Sequence, residues 1–258
     1  MAASDFYRFF SEYFGERWDG LLTALRGEPV YGAIRHPGKE PYYLDEASLF
    51  AARALDVRPG MNVLDMCAAP GGKTLVLAEA LRGTGSLQSN DRSPDRRLRL
   101  SHNLENTLPE NLISTVKVSG YDGVRFGMFR KGEFDRILLD APCSSERHVL
   151  ESEKHLAEWS PKRIAHIAVT QGALLASAVD ALKPGGRMVY GTCALTKMEN
   201  DDVVRKILKK RKGKIRILEI EPEIEGTDVT EFGLQMLPDR CGGRGPIYCA
   251  KLEKISAE

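Results

Sequence analysis

The sequence predicts an α/β protein: an open, mostly parallel sheet with helices on both faces and an antiparallel hairpin near its C-terminal end. Three observations carry that prediction. From Asp45 onward, short apolar runs alternate with stretches of helical periodicity. Two of those stretches open on the helix-starting pairs Ser93-Pro94 and Ser160-Pro161. Two late extended runs, Phe232 to Leu237 and Pro246 to Leu252, bracket a Gly-rich turn.

Taken in order, residues 3 to 27 place Phe6, Phe10, Trp18, Leu21 and Leu25 at spacings that suit one amphipathic helix, ended by Gly27 and Pro29. Gly32 to Pro41 is punctuated by Gly, Pro and His and reads as a linker. Residues 1–44 therefore form a helical extension with its linker, and residues 45–258 the main domain. Ala47 to Leu55 is helical, Asn62 to Met66 is a short apolar strand, and Gly71 to Leu81 is the next helix. Ser86 to Asp91 is a strand. Ser93 caps a helix that begins at Pro94 and runs to about Asn106. Thr115 to Ser119 and Phe134 to Asp140 are further strands. The helix opened at Ser160 carries Ile164, Ala168, Leu175, Ala178 and Leu182 on one face, and Lys183-Pro184-Gly185-Gly186 stops it. Arg187 to Thr192 is a strand, Asn200 to Lys210 a helix, and Ile215 to Ile220 extended.

With 258 residues, 42% of them hydrophobic and 28% charged, the chain has the composition of a globular domain and not of a disordered or fibrous one. Lys and Arg number 37 against 36 Asp and Glu, a net charge of +1, which excludes a wholesale polycation. Cys67, Cys143, Cys193, Cys241 and Cys249 are odd in number and contain no CxxC pair, so neither a zinc site nor a disulfide framework is expected. That usage points to a reducing compartment. The first residues have no basic and apolar segments of a secretion signal, and the uncharged stretch from Ile164 to Val179 is too short to span a bilayer.

Open α/β sheets bind ligands beyond the carboxyl ends of their strands. The candidates are therefore Asp65 to Lys73, Asp91, Asp122 with Gly123, Asp140 to Cys143, and Thr192-Cys193. In the first loop, Cys67, Ala68, Ala69, Pro70, Gly71, Gly72 and Lys73 form a run of mostly small residues that a ligand can approach closely. The helix N-terminus behind it offers free N–H groups. Gly72-Lys73-Thr74 falls one glycine short of a P-loop: Cys67 holds that position, and Pro70 removes a backbone donor. Ile137-Leu138-Leu139-Asp140 imitates a Mg²⁺-holding strand, so a P-loop-like NTPase is one reading. Asp91 suits the two hydroxyls of a ribose, and Asp122 an adenine amino group.

VLDMCAAPGGKT (Val63 to Thr74), DAPCSSERH (Asp140 to His148) and GTCALTKMEN (Gly191 to Asn200) closely resemble three motifs of the Sun/Fmu (RsmB/NOP/Sun) family of S-adenosylmethionine-dependent RNA cytosine-5 methyltransferases. Residues 43 to 48 resemble the short helix that precedes this core, and the likeness covers roughly residues 30 to 253. FGERWDGL and VYGAIRHP look like the short mitochondrial-type members that act on organellar tRNA or rRNA. No stretch resembles the extra N-terminal RNA-binding domain or the C-terminal PUA domain of other members. The resemblance implies a Rossmann-like class I methyltransferase domain over residues 45–258. It implies S-adenosylmethionine held by Cys67 to Lys73, Asp91, Arg96, Asp122, Gly123 and Asp140. The implied substrate is structured RNA, rRNA or tRNA, with a protein partner as a further source of RNA affinity. The expected location is the cytoplasm, or the mitochondrial matrix for an organellar source, with no membrane partner.

Methylation at cytosine C5 explains why two cysteines stand at strand ends. C5 is a poor nucleophile until a thiolate adds to C6 and turns the ring into an enamine. After methyl transfer a base removes the C5 proton and the thiolate leaves. The attacking thiol needs a lowered pKa. A DNA enzyme of this chemistry attacks with its Pro-Cys thiol and carries Glu-Asn-Val, whereas here Glu199-Asn200 is followed by Asp201. The resemblance makes Cys193 the nucleophile and Cys143 the residue that assists release, with Asp140 between cofactor loop and substrate cysteine. Each cysteine alone reads equally as a small buried hydrophobe, and an inactive RNA-binding module would need neither.

Arg205, Lys206, Lys209, Lys210, Arg211, Lys212, Lys214 and Arg216 form the densest basic run, and Arg92, Arg96, Arg97 and Arg99 a second. Phosphate contacts supply affinity without sequence information, so Lys209, Lys210 and Arg211 are expected to contribute to RNA binding unless they are simply a solvated helix end. Arg147, His148 and Trp159 follow the Pro-Cys motif and are expected to reach the target base or its neighbours.

Overall fold

A computed structural model describes residues 2–255. The chain opens with α1 (Ala2–Phe14), a 3₁₀ turn (Gly15–Arg17) and α2 (Trp18–Arg26), where one helix is predicted. Gly15, at φ +57°, marks the break. The two helices share one aromatic core: Phe6, Phe10, Trp18 and Leu21 are buried, and the Phe10 and Trp18 rings stack at 5.3 Å.

The predicted linker is in part a β-ribbon. Strand β1 (Tyr31–Ile34) pairs antiparallel with β2 (Tyr42–Asp45) around the Pro37-Gly38 turn. Gly and Pro between the strands supply the turn, and Tyr and Ile on either side supply the pairing. Helix α3 (Glu46–Arg53) follows at once, capped by Asp45, whose Oδ1 accepts from the Ala47 amide at 2.8 Å.

The main sheet then builds from β3 (Asn62–Asp65), α4 (Gly72–Leu81), β4 (Ser86–Asn90), α5 (Pro94–Thr107), α6 (Glu110–Ile113), β5 (Val116–Ser119), α7 (Phe126–Phe129) and β6 (Phe134–Asp140). Next come α8 (Glu146–Leu150), α9 (Glu153–Glu158), α10 (Pro161–Ala181), β7 (Leu182–Thr192), α11 (Asp201–Lys210), β8 (Ile215–Leu218), β9 (Asp228–Val229), β10 (Leu234–Met236) and β11 (Ile247–Lys254). Ser93 and Ser160 accept from the amides of Arg96 and Arg163, each with Pro at the next position. Lys183 to Gly186 do not separate helix from strand. They bulge inside β7, whose register against β6 jumps from Leu182 opposite Phe134 to Arg187 opposite Arg136.

Nine strands form one sheet in the order β5-β4-β3-β6-β7-β11-β10-β9, with β8 also on β11. Strands β3 to β7 run parallel, and β8 to β11 add the antiparallel part. The chain reverses its direction of travel across the sheet between β3 and β6, which opens a crevice above their carboxyl ends. Apolar residues fill both faces, with Leu75, Leu77 and Leu87 in one cluster and Leu64, Ile137 and Tyr190 in the other. Helix α10 is long and apolar enough to cross a bilayer by length and composition. Here its Ile164, Leu174, Leu175 and Val179 are buried in the protein core.

Candidate active site

The loop after β3 is tied down from behind. Arg96 donates to the Ala69 carbonyl at 2.6 Å, and Asn103 to the Pro70 carbonyl at 2.8 Å, so α5 holds the loop open. Gly71 sits at φ +115° with Leu100 3.0 Å from where a Cβ would stand; no other residue fits there. Thr74 donates to Asp65 at 2.7 Å. Burial, with Asp140 and Asp91 nearby, pushes the Asp65 carboxyl up to about 7. The Cys67 thiol is driven well above its ordinary value, first by burial and then by these carboxylates. Such a thiol packs and does not react.

Above this loop lies a cavity of about 480 Å³, lined by Met66, Cys67, Asp91, Arg96, Asp122 and Gly123 among others. Asp91 is 4% exposed. Its Oδ1 accepts from the Ser93 amide at 3.0 Å, while Oδ2 has no hydrogen-bond partner and lies 3.4 Å from Arg96. A buried carboxylate oxygen without a donor, beside a cavity, fits a ligand that brings hydroxyl donors. Asp122 caps the turn at Gly123 by accepting from Val124 at 3.2 Å. A Cβ on Gly123 would meet Leu174 at 2.8 Å. Asn90, which the sequence did not single out, donates to the carbonyls of Met66 and Tyr121 and so sets the spacing of the two cofactor-side loops.

A second cavity, of about 530 Å³, adjoins the first, and the two share Cys67, Arg96 and Pro142. Lys73 donates to Asp140 at 2.7 Å across its floor. Burial opposes the charge on Lys73, but the Asp140 carboxylate more than offsets this and the net shift is upward, so Lys73 stays cationic. Cys143 and Cys193 both line this cavity, with their sulfurs 2.8 Å apart as free thiols. Ser145, held at φ +53°, lies 3.1 Å from Cys193 Sγ and 3.4 Å from Cys143 Sγ. The neighbouring Cys193 sulfur, then burial, raise the Cys143 thiol well above its ordinary value, which keeps it protonated.

Two fully buried glutamates hold the cysteine loops together, and the sequence did not mark either as functional. The Ser144 hydroxyl lies within hydrogen-bond distance of both Glu146 and Glu199. Glu199 also accepts from the Ser144 amide and from Gln171, each at 2.9 Å, and Glu146 accepts from the Leu195 amide at 3.1 Å. One hydroxyl carries one proton, so it can donate to only one carboxylate. The other contact is satisfied when that carboxyl is protonated, and burial raises both carboxyls in that direction, so the pair is arranged to share a proton. Burial, then the Glu199 charge, raise Glu146 from 4.5 to about 7. A carboxyl raised on folding binds more protons in the folded state, so its contribution favours the fold in acid. That contribution declines as pH climbs through the window from 4.5 to about 7. The Glu146→Gln variant is expected to lose this decline. Its urea-unfolding free energy should drop less between pH 5 and pH 8 than the wild type's, by about 1–3 kcal/mol. An identical drop in both proteins would contradict the shared proton.

The three residues after the Pro-Cys motif lie around the cysteines. Trp159 is largely buried against Phe6, Phe9 and Phe10 of α1, and its remaining edge borders a small cavity of about 210 Å³ that also reaches Cys143 and Ser145. Arg147 binds the carbonyls of Ala24, Leu25 and Gly245 and fastens α2 to the rim of the second cavity. His148 is exposed on that rim beside Glu151. The three arginines of the long basic run are paired: Arg205 with Asp202 and Glu231, Arg211 with Asp180, and Arg216 with Glu253. The run also lies toward the end of the strands opposite the cysteine loops. Ile215 pairs with Lys254, whose ammonium reaches the Leu182 carbonyl at the start of β7, whereas Cys193 follows the end of β7. Of the second run, Arg97 donates to the Asp91 and Arg92 carbonyls, and Arg92 lines the first cavity. Cys241 and Cys249 are buried away from both cavities, and among the described residues no cluster of His, Cys, Asp and Glu could hold a metal ion.

A parallel α/β sheet with a small-residue loop after its first strand, carboxylates after the next two, and reactive groups after β6 and β7 defines the class I methyltransferase fold. More narrowly, the profile described as 16S rRNA methyltransferase RsmB/F matches residues 52–253, and the chain belongs to that family. It is 37% identical over 225 residues to the mitochondrial tRNA (cytosine(34)-C(5))-methyltransferase of Mus musculus, covering 84% of this chain and 64% of that protein. It is 35% identical to the 5-cytosine rRNA methyltransferase NSUN4 of Bos taurus, over 83% of this chain and 60% of that one. The chain thus spans about three fifths of the length of these relatives. Among solved structures, NSun6 from Pyrococcus horikoshii with SFG superposes at a TM-score of 0.71 and 28% identity, over 84% of this chain and 53% of that one. Nothing in these matches supports the NTPase reading.

Proposed function

We propose that this chain transfers a methyl group from S-adenosylmethionine to C5 of a cytosine in structured RNA, rRNA or tRNA, through a covalent bond between Cys193 and C6. The observation that carries this reading is the pair of free thiols 2.8 Å apart in a cavity that adjoins the carboxylate-lined one. Family membership and the relatives' names, together with SFG, an S-adenosylmethionine analogue, in a 28% identical structure, support it.

In this mechanism Asp91 would accept from the ribose hydroxyls of the cofactor, Asp122 and Gly123 would hold its adenine, and the Cys67–Lys73 loop would hold the remainder. The bound cofactor supplies an electrophilic methyl group. Asp140, oriented by Lys73, lines the two-thiol cavity and would face the cytosine edge. Cys193, as its thiolate, adds to C6 and makes C5 nucleophilic; C5 would then take the methyl, with the sulfonium leaving as a neutral thioether. Loss of the C5 proton to a base then returns the electrons that break the C6–S bond. Cys143, kept as a thiol by its surroundings, is placed to give the leaving Cys193 sulfur a proton. Residues 45–258 form the catalytic unit. Residues 1–44 form an extension that seats α1 on α9 and Trp159. Either the cytoplasm or the mitochondrial matrix fits the relatives' names, and a protein partner remains part of the proposal. Bisulfite sequencing of total tRNA and rRNA treated with the protein, with and without S-adenosylmethionine, tests it. New cytosine-5 methylation that needs the cofactor is the expected result. Calorimetry that finds ATP binding and no S-adenosylmethionine binding would overturn it.

A further inference from the structure

The β1–β2 ribbon has two unlike faces. Its register sets Tyr31 opposite Asp45 and Ala33 opposite Tyr43, so these four residues share one face, and Gly32, Ile34, Tyr42 and Leu44 share the other. The second face is pressed onto the domain: a Cβ on Gly72 would stand 2.8 Å from Tyr42 and 2.9 Å from Leu44. The first face is open. Tyr31 is 54% exposed and Tyr43 55%. Tyr31 and Asp45 also line the two-thiol cavity, so this face runs outward from the cavity mouth without a break. The Arg35 guanidinium lies 5.7 Å from the centre of the Tyr43 ring, so that ring already receives a planar cation.

We propose that the outer face of this ribbon, centred on Tyr31 and Tyr43, is a stacking platform for the unpaired nucleotides beside the cytosine that enters the two-thiol cavity. The proposal rests on the RNA reading above. A base that enters this cavity must leave its stack, and its neighbours then lose a stacking partner. Aromatic faces at the mouth replace it. The two tyrosines occupy diagonal positions across the ribbon, about 7–8 Å apart, a spacing within reach of neighbouring bases on a splayed strand. Stacking of this kind tolerates any base and needs little net charge, which suits a chain whose formal charge is +1.

The probe is a fluorescently labelled 12-mer of oligocytidylate, read by anisotropy against the wild type, Tyr31→Leu/Tyr43→Leu and Tyr31→Phe/Tyr43→Phe. S-adenosylmethionine titration of each protein serves as the check on folding. The Leu double variant is expected to lose roughly 10-fold or more in oligonucleotide affinity, since it removes both aromatic faces on which bases would stack. The Phe double variant should stay within about 2-fold of wild type, because stacking needs the ring and not the hydroxyl. A Leu variant that binds like wild type, a Phe variant that loses as much as the Leu variant, or a wild type that does not bind the probe each overturns the platform. Methylation of total RNA by the wild-type preparation decides the underlying RNA reading separately.

Discussion

Cys193→Ala is expected to abolish cytosine methylation while leaving S-adenosylmethionine affinity within about 2-fold of wild type. The sulfur lines the two-thiol cavity and contributes nothing to the lining of the carboxylate cavity. Loss of a covalent nucleophile commonly removes several orders of magnitude of rate. Cys143→Ala should behave differently. Attack and methyl transfer proceed, but the group placed to assist departure of Cys193 is gone. The protein should then accumulate as a covalent adduct with RNA through Cys193, visible as a shifted band after denaturing electrophoresis, and the double variant should form none. An adduct in Cys193→Ala but not in Cys143→Ala would exchange the two roles, and an adduct in neither would remove the release role from Cys143.

Asp91→Ala is expected to weaken S-adenosylmethionine binding by about 1–3 kcal/mol, or roughly 5- to 150-fold in Kd, the usual effect of losing hydrogen bonds to a charged group. Asp91 Oδ2 is buried and accepts no hydrogen bond within the protein, with the Arg96 guanidinium 3.4 Å away, so a ligand hydroxyl would complete its bonding. Asp91→Asn should fall between wild type and Ala, because the amide oxygen still accepts one bond. Calorimetry measures this directly. An unchanged Kd in Asp91→Ala would place the cofactor's ribose elsewhere.

Much of the fold is legible because its signals are local. Ser93-Pro94 and Ser160-Pro161 start helices by chemistry confined to one turn. The alternation of apolar runs with amphipathic stretches announces a parallel sheet. It also puts Cys143 and Cys193 after strands β6 and β7, which the sheet places side by side. Their 2.8 Å separation is not legible, since it depends on how two loops bend. The ribbon escapes notice because Tyr31–Ile34 is extended only through its pairing with Tyr42–Asp45. Glu146 and Glu199 escape because Ser144 and Glu199 are 55 positions apart and a lone Glu reads as surface. The burial of Trp159 is not legible either, because the residues that pack on it, Phe6 to Phe10, come from the far end of the chain.

Strand β11 carries a consequence for how the protein is made. It pairs with β7 on one side and with β8 and β10 on the other, so three strands depend on residues 247–254. Those residues are synthesised after every other part of the sheet. Until they emerge from the ribosome, β7 presents an open edge of unpaired amides and carbonyls right up to Thr192, next to Cys193. The loop that carries Cys193 therefore lacks the strand that flanks it on any nascent chain that ends before β11, and a premature stop within β11 would leave an aggregation-prone edge beside that loop.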